Sequence, residues 1–127
     1  MLLRIRRGSA LTPQDAEQLY QLRRTWQQQV SDFLLPFDAL LMPAVPLIAP
    51  TIAELEEEER YHEVNLLMLR NTSVINMLDG CAISLPCHTP GEAPAGLMLA
   101  SVHNQDAALL GWAAAAESAL QRGLHHE

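Results

Sequence analysis

The stretch NTSVINMLDGCAISLPCH, Asn71 to His88, gathers the side-chain types of a nucleophilic site. It holds both cysteines, Cys81 and Cys87, together with Ser73, Ser84, Asp79, His88 and two asparagines. Spacing limits what they can do. On an extended segment Cys81 and Cys87 stand about 20 Å apart at the rise of a strand, whereas a disulfide needs Cα atoms within roughly 7 Å. Such a pair neither bridges nor shares one metal ion. Cys87 and His88 are neighbours, so on a strand they face opposite sides, which is poor geometry for a Cys–His dyad. A small apolar cysteine in a core is the better reading. No serine stands in GxSxG, and no two of the six glycines are adjacent. A nucleophile elbow or an anion-binding nest would lack its usual backbone residue. Ser73 and Ser84 read instead as a helix hydroxyl and a strand residue.

The histidines are His62, His88, His103, His125 and His126, and none forms an HxxxH or CxxC frame with a neighbour. His125 and His126 read as a solvated tail. His88 and His103 flank an expected hairpin, so a shared role requires the fold to bring them together. All eight basic side chains are arginine. A mechanism that needs an amine base, a Schiff base or a phosphate-loop lysine cannot run on these residues alone. From the residues themselves we assign no catalytic group, no metal ligand and no cofactor motif.

The 127 residues are enough for one domain, and 49% are hydrophobic, so a core is expected. The net charge of −7 disfavours nucleic acid as a partner. The acidic run Glu54 with Glu56–Glu59 offers a cation or a basic partner, or simply a solvated loop or helix end, the usual fate of charge runs. No apolar run approaches the ~20 residues of a membrane helix. Only Met1–Leu3 precede the first arginine, too short for a signal h-region. With two cysteines, this points to a reducing, cytoplasmic setting without a membrane partner.

Several elements must carry these residues. Thr12-Pro13-Gln14-Asp15 opens a helix with a cap, a first-position proline and an N-terminal acid. Ala16, Leu19, Tyr20, Trp26, Val30, Phe33 and Leu34 form its apolar stripe; Arg23, Arg24 and Gln27–Gln29 fall mostly on the other side. Pro36 ends it. Ala39–Met42 reads as a short strand covered on both faces, and Pro43, Pro46 and Pro50 then stiffen an extended path without ladder pairing. A helix is expected over Tyr61–Leu78, apolar at both ends and polar over Arg70–Ser73; its middle is either irregular or near a site. Ala82–His88 and Ala95–Val102 read as an antiparallel hairpin. Asn104 caps a last helix with Leu109, Leu110, Ala113, Ala116, Ala119 and Leu120 inward, ended by Arg122 and Gly123. The fold class is α/β, with three helices and about three strands. Three apolar strands need cover on both faces and neighbours at both edges, so the chain reads as part of something larger.

Pieces spread along this order resemble the C-terminal part of amidase signature enzymes. Phe37-Asp38-Ala39-Leu40-Leu41-Met42-Pro43 leads into Pro46 and Ala49-Pro50. Asn71-Thr72 and Asn76 precede Ala82-Ile83-Ser84-Leu85-Pro86. Pro94-Ala95-Gly96-Leu97-Met98-Leu99 is similar to the family's P-x-G-L-x-L strand, and Asp106, Leu109-Leu110 and Glu117 to its closing helix. The sequence departs from the family where Asp79 replaces a common glycine and Cys81 a common proline.

The resemblance implies a family that hydrolyses or transfers amide nitrogen with a Ser–Ser–Lys triad. Its lysine and Gly/Ser-rich nucleophile loop lie in the N-terminal and central parts of a longer domain, and neither is matched here. Residues 1–127 are thus expected to be a single partial domain, the C-terminal segment of an amidase domain, inactive alone. It is a truncated product, a mis-started frame or a separate remnant. The resemblance also implies that this region completes a central sheet and lines the substrate pocket through Leu69, Thr72 and Asn76. The alternative for Thr72 and Asn76 is that they satisfy local backbone or pack on the hairpin. Apolar Leu69 fits a neutral substrate better than a charged amino acid. The implied partner is the missing N-terminal amidase portion, or a second copy through an uncovered sheet. The competing function is a non-catalytic interaction module, and an independent cysteine hydrolase ranks last.

Overall fold

The computed structural model describes residues 8–124; His125, His126 and the first arginines lie outside them. In order come α1 (Pro13–Leu34), β1 (Leu40–Pro43), a short 3-10 turn (Ala53–Leu55), α2 (Glu58–Met68), α3 (Arg70–Leu78), β2 (Cys81–Pro86), β3 (Gly96–Ser101) and α4 (Asp106–Leu124). The class is α/β, as the patterning indicates. Among the described residues the expected helices number four instead of three, because the single helix expected over Tyr61–Leu78 is two, joined at Leu69.

Leu69 is where the ladder slips. Its φ and ψ are −84° and −6°, near the bridge region between helix and turn. Its N–H reaches the Asn65 carbonyl at 3.3 Å, and its own carbonyl accepts both the Ser73 N–H (2.9 Å) and the Thr72 hydroxyl (3.2 Å). The Thr72 hydroxyl thus adds a bond to a carbonyl that keeps its helical partner, and poor helix formers follow, both of which favour a bend here.

At the start of α1 Thr12 caps as expected, and Asp15 makes the cap reciprocal. Thr12 Oγ1 accepts the Asp15 N–H (3.2 Å), and Asp15 Oδ2 accepts the Thr12 N–H (2.8 Å). The bond from the Thr12 side chain, then that from its backbone, hold the Asp15 carboxyl below its ordinary range. The cap contributes fully above the ordinary aspartate pKa and is lost as pH falls through the lowered value. The acidic run is solvated, and Glu58 and Glu59 fill the first turn of α2, where the helix dipole favours them.

The sheet order is β1-β3-β2, and both pairs are antiparallel. The expected hairpin is therefore present, with Cys81 opposite Ser101 and Pro86 opposite Gly96. β1 is shifted one residue from expectation and ends in Pro43, paired with Leu97. Proline is tolerated there because β1 is an edge strand.

β3 is covered on both faces. On one side Leu99 and Leu85 meet Leu109 and Ala113 of α4; on the other Met98 and Ala100 meet Ile75 of α3, with Leu40 and Met42 alongside. Burying each of the larger side chains is worth about 1.5–3 kcal/mol. The exposed His103–Asp79 contact (3.3 Å) contributes about 0–1 kcal/mol, so apolar burial dominates. Cover is incomplete elsewhere. Leu41, expected to be covered on both faces, is 59% exposed. Leu19, Tyr20 and Phe33 of the α1 stripe are also exposed, because α1 packs mainly along α3.

Three expectations at α4 fail: Leu110, 59% exposed, and Ala119 face outward although the stripe places them inward, and both helix ends differ. Asn104 has φ 61°, left-handed, whereas an N-cap is extended. The first helical bond runs from the Leu109 N–H to the Gln105 carbonyl (2.8 Å), so Gln105 opens α4. Gly123 lies inside the last turn and does not follow it.

Between α3 and β2 the backbone crosses the end of β3 so closely that a Cβ on Gly80 would fall on the Ser101 carbonyl oxygen. Gly80→Ala is expected to cost roughly 1–3 kcal/mol through this overpacking. Urea unfolding checks it, and a midpoint equal to wild type would contradict the packing described.

Candidate functional site

Leu69, Thr72 and Asn76 fall at helical spacing on one side of α3, and all three are exposed. The opposite side carries Ile75 and Leu78, buried against the rest of the fold. The structure thus brings the three expected wall residues onto a single face, turned outward. Leu69 is 44% exposed. The Thr72 hydroxyl donates to the Leu69 carbonyl, so its proton is committed locally and its lone pairs remain available as acceptors.

Both ends of α3 are tied down. Asn71 at its start donates Nδ2–H to the Pro43 carbonyl (2.8 Å) at the end of β1. Arg70 Nε donates to Asn71 Oδ1 at 3.3 Å, which fixes that amide's orientation. At the other end Gly80 N–H bonds the Ile75 carbonyl (3.1 Å) and Asp79 N–H bonds the Asn76 carbonyl (3.2 Å). With Asp79 at φ 61° this is a Schellman closure. Glycine normally takes this left-handed position without cost, which gives a physical reason for the glycine commonly found there.

From α1, Arg23 donates to the carbonyls of Met77 (2.8 Å, Nε) and Asn76 (3.1 Å, Nη2), and Gln27 Nε2 donates to Met77 (2.9 Å). Both side chains are half-buried, whereas Arg24 and Gln28 are exposed. Periodicity had placed Arg23 and Gln27 on the solvent side of α1. The structure puts them on its packed side, because the neighbour there is a helix end with spare carbonyls. Their i,i+4 spacing next to Trp26 was the only available signal.

The nucleophilic types do not converge. Cys81 and Cys87 are free and sit at opposite ends of β2. The Cys81 thiol donates to the Val102 carbonyl (3.6 Å). Cys87 lines an apolar groove of about 580 Å³ with Leu41, Pro46, Ile48 and Leu97. His88 Nδ1 bonds Ala95 across the hairpin loop, donating to its carbonyl (3.2 Å) in one tautomer and accepting from its N–H (3.3 Å) in the other. His103 lies beyond the far end of β3, against Asp79. The hairpin therefore separates His88 from His103. Among the described residues no three of His, Cys, Asp and Glu gather where a metal ion could be held. Among them, no helix is long and apolar enough to cross a membrane.

Comparison with known proteins places the chain in a family. The amidase family model matches residues 2–110. Over 87 residues, 68% of this chain, the sequence is 32% identical to 2-amino-5-chloromuconic acid deaminase of Comamonas testosteroni. That stretch is 19% of the relative, so the chain spans about a fifth of its length. No solved structure matches significantly.

The left-handed closure of α3 yields a test. Asp79→Gly is expected to stabilise by about 0.5–1 kcal/mol, since it removes left-handed strain and a negative charge at a helix C-terminus. Asp79→Val is expected to destabilise by more than about 1 kcal/mol. Thermal unfolding checks both; a valine variant as stable as wild type would contradict the assigned backbone.

Proposed function

The chain belongs to the amidase family, and from that premise we propose that it forms the C-terminal part of an enzyme that hydrolyses amide C–N bonds. The observation that carries this is the family match along residues 2–110. The catalytic groups of the family chemistry then come from outside these 127 residues, which contain no lysine. What this chain supplies is one side of the substrate pocket.

Leu69 offers that pocket an apolar surface and excludes water. Thr72 offers an acceptor, and the Asn76 carboxamide offers a donor and an acceptor one turn further on. No charged side chain stands among these three, so the wall suits a neutral amide. A substrate as acidic as the one for which the relative is named would need its cation from another part of the enzyme. The two free thiols suit a reducing, cytoplasmic setting.

The 580 Å³ groove, where Ile48 is 53% exposed, is where we place the remainder of the amidase domain. The same exposed surface favours the second reading, a non-catalytic interaction module. The two differ in their demand on α3: in a module Thr72 and Asn76 have no substrate to meet.

A hybrid decides between them, in which residues 2–110 of this chain replace their counterpart in the Comamonas deaminase. The hybrid is expected to release ammonia. Thr72→Ala and Asn76→Ala are each expected to raise KM about 2- to 10-fold with little change in kcat, the effect of losing one hydrogen bond to bound substrate. A folded but inert hybrid would contradict the proposal. The 127-residue chain alone is expected to release no ammonia from simple amides; release that Cys87→Ala abolishes would overturn the assignment.

A further inference from the structure

No residue of α1 is fully buried. Its long-range polar bonds converge instead on one place, the last turn of α3. A helix leaves its final carbonyls without intrahelical partners and carries partial negative charge there. Arg23 meets two of these carbonyls with one fork, and Gln27, one turn later on α1, adds a third bond. The Asn76 carbonyl is held twice, by Arg23 and by the Asp79 N–H. Asn76 is also one of the three wall residues, so the clamp acts on the backbone of the residue that would meet the substrate.

From this geometry we infer that Arg23 is a positioning residue: with Gln27 in support, it fixes the last turn of α3 and thereby the direction in which Asn76 faces the pocket. The inference rests on the amidase reading for its consequence, and on the hydrogen bonds alone for its structural part. Lysine cannot replace Arg23, because a single ammonium lacks the planar fork that reaches two adjacent carbonyls. A purely stabilising role would instead lower the stability of the whole domain evenly.

Native-state hydrogen exchange of the full chain separates these roles. In Arg23→Ala the amides from Asn76 to Gly80 are expected to exchange at least about tenfold faster, while those of Leu97 and Leu99 in β3 change by less than about threefold. Arg23→Lys and Gln27→Ala are expected to give smaller shifts of the same local pattern, and they serve if the alanine variant does not fold. Acceleration of α3 and β3 by one common factor would overturn the inference. In the hybrid deaminase, Arg23→Lys is expected to raise KM about threefold or more with kcat nearly unchanged. Locally faster exchange with an unchanged KM would also overturn it. An inert wild-type hybrid counts against the amidase reading, and the exchange pattern still decides the role of Arg23.

Discussion

Burial of β3 on both faces is the constraint on which the rest of the molecule depends. Ala100 is 0% exposed, and Met98 and Leu99 beside it are buried too. Neighbouring strand residues point to opposite faces, so this burial requires an apolar layer above the sheet and another below. α4 supplies one and α3 the other. β1 and β2 flank β3 and satisfy its backbone on both sides. Both helices are thus fixed against the sheet by the central strand. The outward face of α3 is fixed with them, because Ile75 cannot serve the core unless Leu69, Thr72 and Asn76 turn away from it.

The constraint is met at the centre and relaxes outward. The outer edges of β1 and β2 have no strand beside them among the described residues. Leu41 faces the same side as Leu99 but lies beyond the reach of α4. α1 is tied to α3 by polar bonds while three of the seven residues of its apolar stripe stay in water. A chain that matches about a fifth of a longer relative is physically consistent with this pattern, since strong two-sided packing lies inside and bare apolar surface around it. The functional proposal follows from the same asymmetry. The outward face of α3 is polar enough to meet a ligand and is tied at both ends, whereas the groove beside Ile48 is apolar.

Much of this was legible in the sequence. The Thr12–Asp15 cap, the hairpin, the apolar strands and the Leu109–Ala113 stripe all follow from local rules of capping and periodicity. The single face shared by Leu69, Thr72 and Asn76 follows from helical spacing. What was not legible depends on partners distant in sequence. Arg23 looked solvated because nothing near it indicates that a helix end some fifty residues later needs donors. The junction at Leu69 is a change in one residue's backbone angles, which propensity sums do not resolve. Asn104 looked like a cap by residue type, but the chain passes it in the left-handed conformation that asparagine also tolerates. The resemblance of Asp79 to a glycine position acquires its reason only once φ is known.

The central claim is that the sheet around β3 is only partly covered within this chain. Sedimentation velocity of the purified 127-residue chain over a wide concentration range tests it most directly. Exposed edges and apolar surface of this extent favour association, so the weight-average mass is expected to rise steadily with concentration above that of the 14.1 kDa monomer. A single monomeric species at every concentration would contradict the account.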